Sequence, residues 1–134
     1  MKAIVDQCHN GTEVAQEHAA ATLRNVARTN IGRLKLVEEK GVPPLVAALH
    51  SSSRKHREVA ASALANVALL PRYQVLVANE GAIPPLVAML HQSNAEQEEA
   101  AAAIANIGVS IKNQPKLIAA KVIPRFFSKE RNLA

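Results

Sequence analysis

The sequence contains no tryptophan, one tyrosine and two phenylalanines. Aromatic residues make up 2% of the chain, against 49% hydrophobic residues overall. β-Sandwiches and barrels use aromatic and β-branched side chains to fill a pleated surface. A core of Ala, Val, Leu and Ile, almost without rings, instead lets helix backbones approach one another, so an all-α fold is expected. Cys8 is the only cysteine, which excludes a disulfide framework within the chain and points to a reducing compartment, cytosol or nucleus. Long apolar runs are also missing. The longest weakly polar stretch, residues 100–111, is too short for a membrane span and carries Asn106. At the N-terminus Asp6 interrupts any secretory signal core.

Catalytic signatures are lacking as well: there is no Gly-rich phosphate loop, no His-Glu-x-x-His and no paired cysteine motif. Cys8 sits at an apolar helical position and reads as core. These absences point to a non-catalytic module without cofactor or metal. Acidic charge is in short supply too. Sixteen Lys and Arg against eleven Asp and Glu leave a net charge of +5, which is not by itself a nucleic-acid signature.

What the sequence does have is an internal repeat. The run Pro43-Pro44-Leu45-Val46-Ala47-Ala48-Leu49-His50 recurs as Pro84-Pro85-Leu86-Val87-Ala88-Met89-Leu90-His91, at an offset of 41. Ala63-Leu64-Ala65-Asn66-Val67 recurs as Ala103-Ile104-Ala105-Asn106-Ile107, at an offset of 40. One residue is therefore lost between the two blocks, near Ser52 to Arg54, where a turn absorbs it. A fainter copy lies one period earlier, in Ile4 to His9 and Thr22 to Val26, and a fourth opens at Lys121-Val122-Ile123-Pro124. The units run roughly over 1–29 (partial), 30–70, 71–110 and 111–134 (partial).

Each unit reads as three helices: a short first one over about 31–39, 72–79 and 114–120; a second, opened by the Pro pair, over about 44–50 and 85–91 with a counterpart at 3–9; and a long third one over about 13–28, 54–69 and 95–109. Thr12, Ser53 and Asn94 (with Gln97 three residues on) are the expected caps of the third helices. On the third helix of the second unit, Val59, Ala63, Leu64, Val67 and Leu70 form an apolar stripe, and small alanines beside it allow close packing. One unit cannot bury both of its faces. Stacked units can, as a right-handed solenoid with a concave and a convex side.

With a period of 40–41, the entry Gly81 to Val87 and the third-helix endings Ala63 to Ala68 and Thr22 to Ala27, nearly the whole chain resembles armadillo repeats. HEAT repeats have a similar period but use two helices per unit, and the Pro-Pro break argues for three. The resemblance implies that the third helices line a concave groove able to hold an extended partner peptide, and that Asn25, Asn66 and Asn106 touch it. A carboxamide offers two donors and an acceptor, enough to pair with a peptide backbone without reading its side chains. The other reading of the same asparagines is internal: hydrogen bonds to the neighbouring helix. Nuclear-import adaptors of this family carry tryptophan four residues before each asparagine; here those positions are Ala21, Ser62 and Ala102, so aromatic slots and cation–π contacts are missing.

Glu17, Glu58 and Glu98 repeat eight residues before each asparagine. At about 100° per residue this puts them about 80° away, on the flank of the groove. They read either as a mild preference for basic ligands or as solvated first-half glutamates. His18, Val59 and Glu99, seven residues before, fall closer to the asparagine line and are placed in the groove. The run Arg54-Lys55-His56-Arg57 puts positive charge on the first turn of a helix, against the macrodipole. It reads as an acidic-partner contact or as a solvated face, with Lys55 facing the groove, Arg54, His56 and Arg57 pointing toward its rim, and Arg54, Lys55 and Arg57 as the possible polyanion contacts.

His9, His50 and His91 recur once per period. Neighbouring helices are about 8–10 Å apart and zinc ligands about 3–4 Å from one another, so one histidine per unit does not converge on an ion. They read as helix ends. The sequence thus suggests a protein-binding scaffold. A basic surface for RNA or another polyanion is the alternative, supported by Arg54 to Arg57 and by Lys112, Lys116, Lys121, Arg125, Lys129 and Arg131, and weakened by the lack of rings for base stacking. Finally, Ile4, Val5 and Cys8 near one end, with Val122, Ile123, Phe126 and Phe127 near the other, suggest a slice of a longer array or ends that associate with other copies.

Overall fold

A computed structural model describes residues 1–92 and 94–120. Among them are nine α-helices, α1 (Lys2–Asn10), α2 (Glu13–Val26), α3 (Asn30–Glu38), α4 (Val42–Ala48), α5 (Arg54–Val67), α6 (Pro71–Asn79), α7 (Ile83–Met89), α8 (Asn94–Ile107) and α9 (Gln114–Ala119), with a 3-10 turn at Ile111–Asn113 before α9. The three-helix rhythm is explicit: α3-α4-α5 and α6-α7-α8 are complete units, preceded by α1-α2 and followed by α9. Two-helix HEAT units are thereby excluded.

The helix starts follow from local chemistry. Thr12 accepts the N–H of Ala15 at 3.2 Å, Thr29 that of Gly32 at 3.0 Å and Ser53 that of His56 at 3.2 Å. The expected cap at Asn94 is corrected. Asn94 is the first residue of α8, because at the offset of 40 it aligns with Arg54; the position matching Ser53 is Ser93, which lies outside the described residues. The Pro pairs do not sit at the first residue either. Val42 and Ile83 open α4 and α7, with the prolines in the first turn, where missing N–H groups leave no bond unmade.

α4, α7 and the third helices end about two residues sooner than the sequence pattern suggests, whereas α1 runs one residue past it. His50 donates to Ala47 at 3.1 Å, Leu69 to Asn66 at 3.2 Å and Val109 to Asn106 at 3.4 Å, so each last turn tightens to i→i−3 bonding and the α-helix stops short. His50 and His91 therefore lie in turns, and His9 near the end of α1. A residue of positive φ follows α3 and α6: Lys40 at φ 60° and Gly81 at φ 91°, which correspond across the repeat.

The layers follow from the packing. The third helices α2, α5 and α8 stand side by side, each backed by the second helix of its own unit, and the main packing pairs join helices of the same or adjacent units. The apolar core runs as one continuous spine from Val5 to Leu117, with Leu23, Leu36, Leu45, Leu64, Leu86 and Ile107 fully buried. Each such side chain contributes about 1.5–3 kcal/mol on burial. Alanines 60, 61 and 63 of α5 are completely inaccessible and set the close approach to α2 and α8. Val5 and Cys8 also belong to this core, so they are not exposed at an end of the solenoid; Val122, Ile123, Phe126 and Phe127 lie outside the described residues.

Two polar ladders run through the spine at repeat-matched positions. Gln16, Arg57 and Gln97 each donate to a carbonyl at the end of the second helix or in the turn after it: His9 at 3.1 Å, Ser51 at 2.8 Å and Leu90 at 3.1 Å. On the first helices, Arg33 and Gln74 and then Asn113 are buried and donate to the carbonyls closing the preceding third helix: Arg28 at 3.3 Å, Ala68 at 3.0 Å and Ile107 at 2.9 Å. Arg33 also reaches Asn66 O of its own unit at 2.8 Å, and Asn113 reaches Gln74 O of the preceding unit at 3.0 Å; together with the bonds to the preceding third helices, the second ladder fastens one unit to the next.

Candidate functional site

The face made by α2, α5 and α8 holds most of the residues singled out in the sequence. Its geometry is clearest on the central helix, α5. Asn66 turns toward α2: its Nδ2 donates to Arg24 O at 3.2 Å. On the following unit, Asn106 Nδ2 donates to Ala65 O at 2.8 Å. Each amide bonds the carbonyl one residue before the preceding unit's asparagine. Both asparagines are half-buried, whereas Asn25 is exposed. One N–H of Asn66 and of Asn106 thus goes to the internal partner, and among the described residues nothing donates to either Oδ1.

Asn66 lies at the edge of the open arc of α5, not at its centre. Taking about 100° per residue, Lys55, Ser62 and Glu58 lie about 20°, 40° and 80° to one side of it and Val59 about 20° to the other. Lys55 is exposed and Ser62 and Glu58 are half-buried, while Val59 is 3% exposed. Val59 is therefore corrected from groove to core: the side of α5 just past Asn66 is covered by α2. Its counterparts His18, exposed, and Glu99, half-buried, remain accessible, as do Ala21, half-buried, and Ala102, exposed. Of the repeated glutamates, Glu98 is exposed and Glu17 half-buried. Glu58 is paired with Arg54 of its own helix at 3.5 Å.

The basic run also changes meaning. Arg57 is not directed to an outside polyanion. Its guanidinium binds Ser51 O and the carboxylate of Glu96, through Nε at 3.1 Å and through a second, shorter contact. Glu96 is fully buried on α8, and Arg57 retains 21% side-chain exposure. The position of Glu96 corresponds to that of His56, which is 3% exposed and so is corrected from the rim to the core. Burial pushes the His56 imidazole below its ordinary pKa of 6.5, with Glu17 and Glu13 of α2 pulling the other way. Among the described residues its Nε2 has no hydrogen-bond partner. Sequence reading missed Glu96, His56 and the Arg33-Gln74-Asn113 ladder as buried polar groups; the one available signal was the recurrence of hydrogen-bonding residues at matched positions of an otherwise apolar pattern. Cys8 and His56 both line a small cleft, with His9 and Gln16, and burial pushes the Cys8 thiol up to about 11. Among the described residues no His, Cys, Asp or Glu cluster could hold a metal ion, and no helix is long and apolar enough to cross a membrane.

Residues 29–69 and 71–109 each match the family profile described as Armadillo/beta-catenin-like repeat. The chain belongs to the armadillo repeat family. No match is found among curated proteins. Among solved structures, the armadillo fold recurs in a designed armadillo repeat protein at 29% identity and TM-score 0.85, covering 91% of this chain and 53% of that one. A second designed armadillo repeat protein, in complex with the peptide (KR)4, matches at 29% identity and TM-score 0.85 over 92% of this chain and 53% of that one. Computationally designed armadillo repeat proteins for modular peptide recognition match at 30% identity and TM-score 0.85 over the same shares. This armadillo array spans about half the length of these structures.

Proposed function

We propose that this armadillo array is a non-catalytic protein-binding scaffold that holds an extended segment of a partner against the face of α2, α5 and α8. The observation that carries the reading is the repeated amide on that face. Asn66 and Asn106 are fixed by one bond to the preceding unit and keep a carbonyl oxygen and a second N–H at the edge of the open arc. Groups so held are preorganised for a peptide backbone at regular intervals. A relative of the same fold was solved with (KR)4, and repeated Glu17, Glu58 and Glu98 suit cationic side chains here. Where import adaptors carry rings, Ala21, Ser62 and Ala102 leave shallow positions, so basic side chains would be met by charge alone. The setting that goes with this reading is the cytosol or nucleus, where Cys8 stays reduced.

The RNA or polyanion alternative keeps the exposed Lys55 and Lys112 but loses Arg57 to Glu96 and shares Arg54 with Glu58; Lys121, Arg125, Lys129 and Arg131 lie outside the described residues. Fluorescence anisotropy with a labelled (Lys-Arg)4 peptide tests the proposal. Asn66→Ala combined with Asn106→Ala is expected to weaken binding by about tenfold or more, with helicity retained by circular dichroism; unchanged affinity would overturn the reading. A labelled single-stranded RNA that binds more tightly than the peptide, with a steep salt dependence, would favour the alternative.

A further inference from the structure

A second surface lies along the corners where each third helix hands over to the next first helix, off the face of α2, α5 and α8. Large apolar side chains stand exposed there in consecutive units: Ile31 at 83%, Leu69 at 52%, Val109 at 68% and Ile111 at 78%. Such residues are ordinary when scattered; these fall at three successive corners, and Val109 and Ile111 share one cleft. Each corner also carries an exposed cation: Arg28 beside Ile31, Arg72 beside Leu69, Lys112 beside Ile111. Among the described residues, these three cations form no ion pair, whereas Lys35, Arg54 and Arg57 all meet carboxylates. Between the second and third corners an open cleft of about 600 Å³ is lined by Pro71, Arg72, Val75, Val109, Ile111 and Lys112 among others, with no carboxylate in its lining.

We infer that this edge is a second docking surface, for an acidic peptide segment that carries a large apolar side chain at each unit spacing. Charge complementarity selects the occupant. Apolar side chains of the segment bury Leu69, Val109 and Ile111, and its carboxylates meet Arg72 and Lys112. A basic segment would place like charges against a cleft whose lining has no carboxylate. The spacing is compatible with an extended chain: three residues of a strand span about 10 Å, close to the separation of about 8–10 Å between packed helices.

The test uses the whole chain and a fluorescein-labelled peptide of repeated Leu-Glu-Glu units. Binding is expected, with affinity reduced about tenfold by Arg72→Glu combined with Lys112→Glu and by Val109→Ser combined with Ile111→Ser. These side chains are exposed, and circular dichroism checks that the variants remain folded. Asn66→Ala with Asn106→Ala should leave this binding unchanged, which keeps the edge separate from the face of the third helices. The inference is overturned if the peptide does not bind, if Leu-Lys-Lys or Ser-Glu-Glu peptides bind as well, or if the asparagine variant removes binding. A dimer in sedimentation equilibrium that dissociates on Val109→Ser and Ile111→Ser would also overturn it, by making a second copy the occupant.

Discussion

Arg57 on α5 reaches into the next unit and binds the carboxylate of Glu96, which is fully buried on α8. The pair is asymmetric. Arg57 keeps 21% side-chain exposure and a second partner in Ser51 O, whereas Glu96 Oε2 has no partner among the described residues. Removing the cation leaves a buried charge stranded; removing the carboxylate leaves a cation that still has a carbonyl and some water. Arg57→Ala is therefore expected to destabilise by about 3–5 kcal/mol, and Glu96→Ala by less. The double replacement should cost less than Arg57→Ala alone. Urea unfolding midpoints of the three variants check the order.

The asparagine ladder makes a stability prediction distinct from the binding one. Asn106→Ala loses the bond to Ala65 O and should cost about 1 kcal/mol. Asn25 makes no corresponding bond among the described residues and is exposed. Asn25→Ala should change stability by less than about 0.5 kcal/mol. Thermal melts of the two variants, side by side, read the difference.

His56 gives the protein a pH dependence. Burial holds its pKa below 6.5, so as pH falls the unfolded chain takes up this proton before the folded one does. The contribution to stability is complete above 6.5 and is lost progressively as pH drops below it. Glu13 and Glu17 narrow the window by favouring the imidazolium. Chemical unfolding at successive pH values should show the decline, and His56→Ala should flatten it.

Cys8 should be inert in the folded protein. A thiol pushed from 9.0 to about 11 has about a hundredfold less thiolate at mildly alkaline pH, and the thiolate is the reactive form. Ellman's reagent should react slowly with the native chain and rapidly in denaturant. Fast native labelling would show that the cleft beside His56 opens.

Lys40 occupies the left-handed region at φ 60°, where the matching position of the next unit has Gly81. A residue with a Cβ costs about 1–2 kcal/mol there, partly offset by the greater unfolded-state freedom of glycine. Lys40→Gly should raise stability by about 0.5–1 kcal/mol, measurable as a higher unfolding midpoint.

Much of the fold was legible because a repeat writes the same physical problem several times. The Pro pairs, the caps Thr12 and Ser53 and the offset of 40–41 located the helices and their grouping by threes. Local signals sufficed there, since caps and prolines act within a turn of the chain. The helix ends were less legible. Whether His50 or Leu69 remains in its helix depends on tightening of the final turn, which no single residue announces.

The site was legible only in outline. Asn66 and Asn106 could be found by recurrence, and the choice between peptide contact and internal bond could be posed. Which hydrogen goes where depends on the distance between α5 and its neighbours, a tertiary quantity. Val59 shows the same limit: a wheel drawn on one helix puts it beside Asn66, but only the position of α2 says which side of that asparagine is covered.

The sequence by itself determined the all-α repeat architecture and the absence of rings on the third-helix face, because both follow from composition and period. Tertiary structure alone decided that Arg57 is an internal ion-pair partner, that His56 and Glu96 are buried, and that Pro71, Arg72, Val109, Ile111 and Lys112 line one cleft. Those outcomes depend on residues a full period apart being brought into contact by stacking, and the local pattern carries no term for what the neighbouring unit will place opposite.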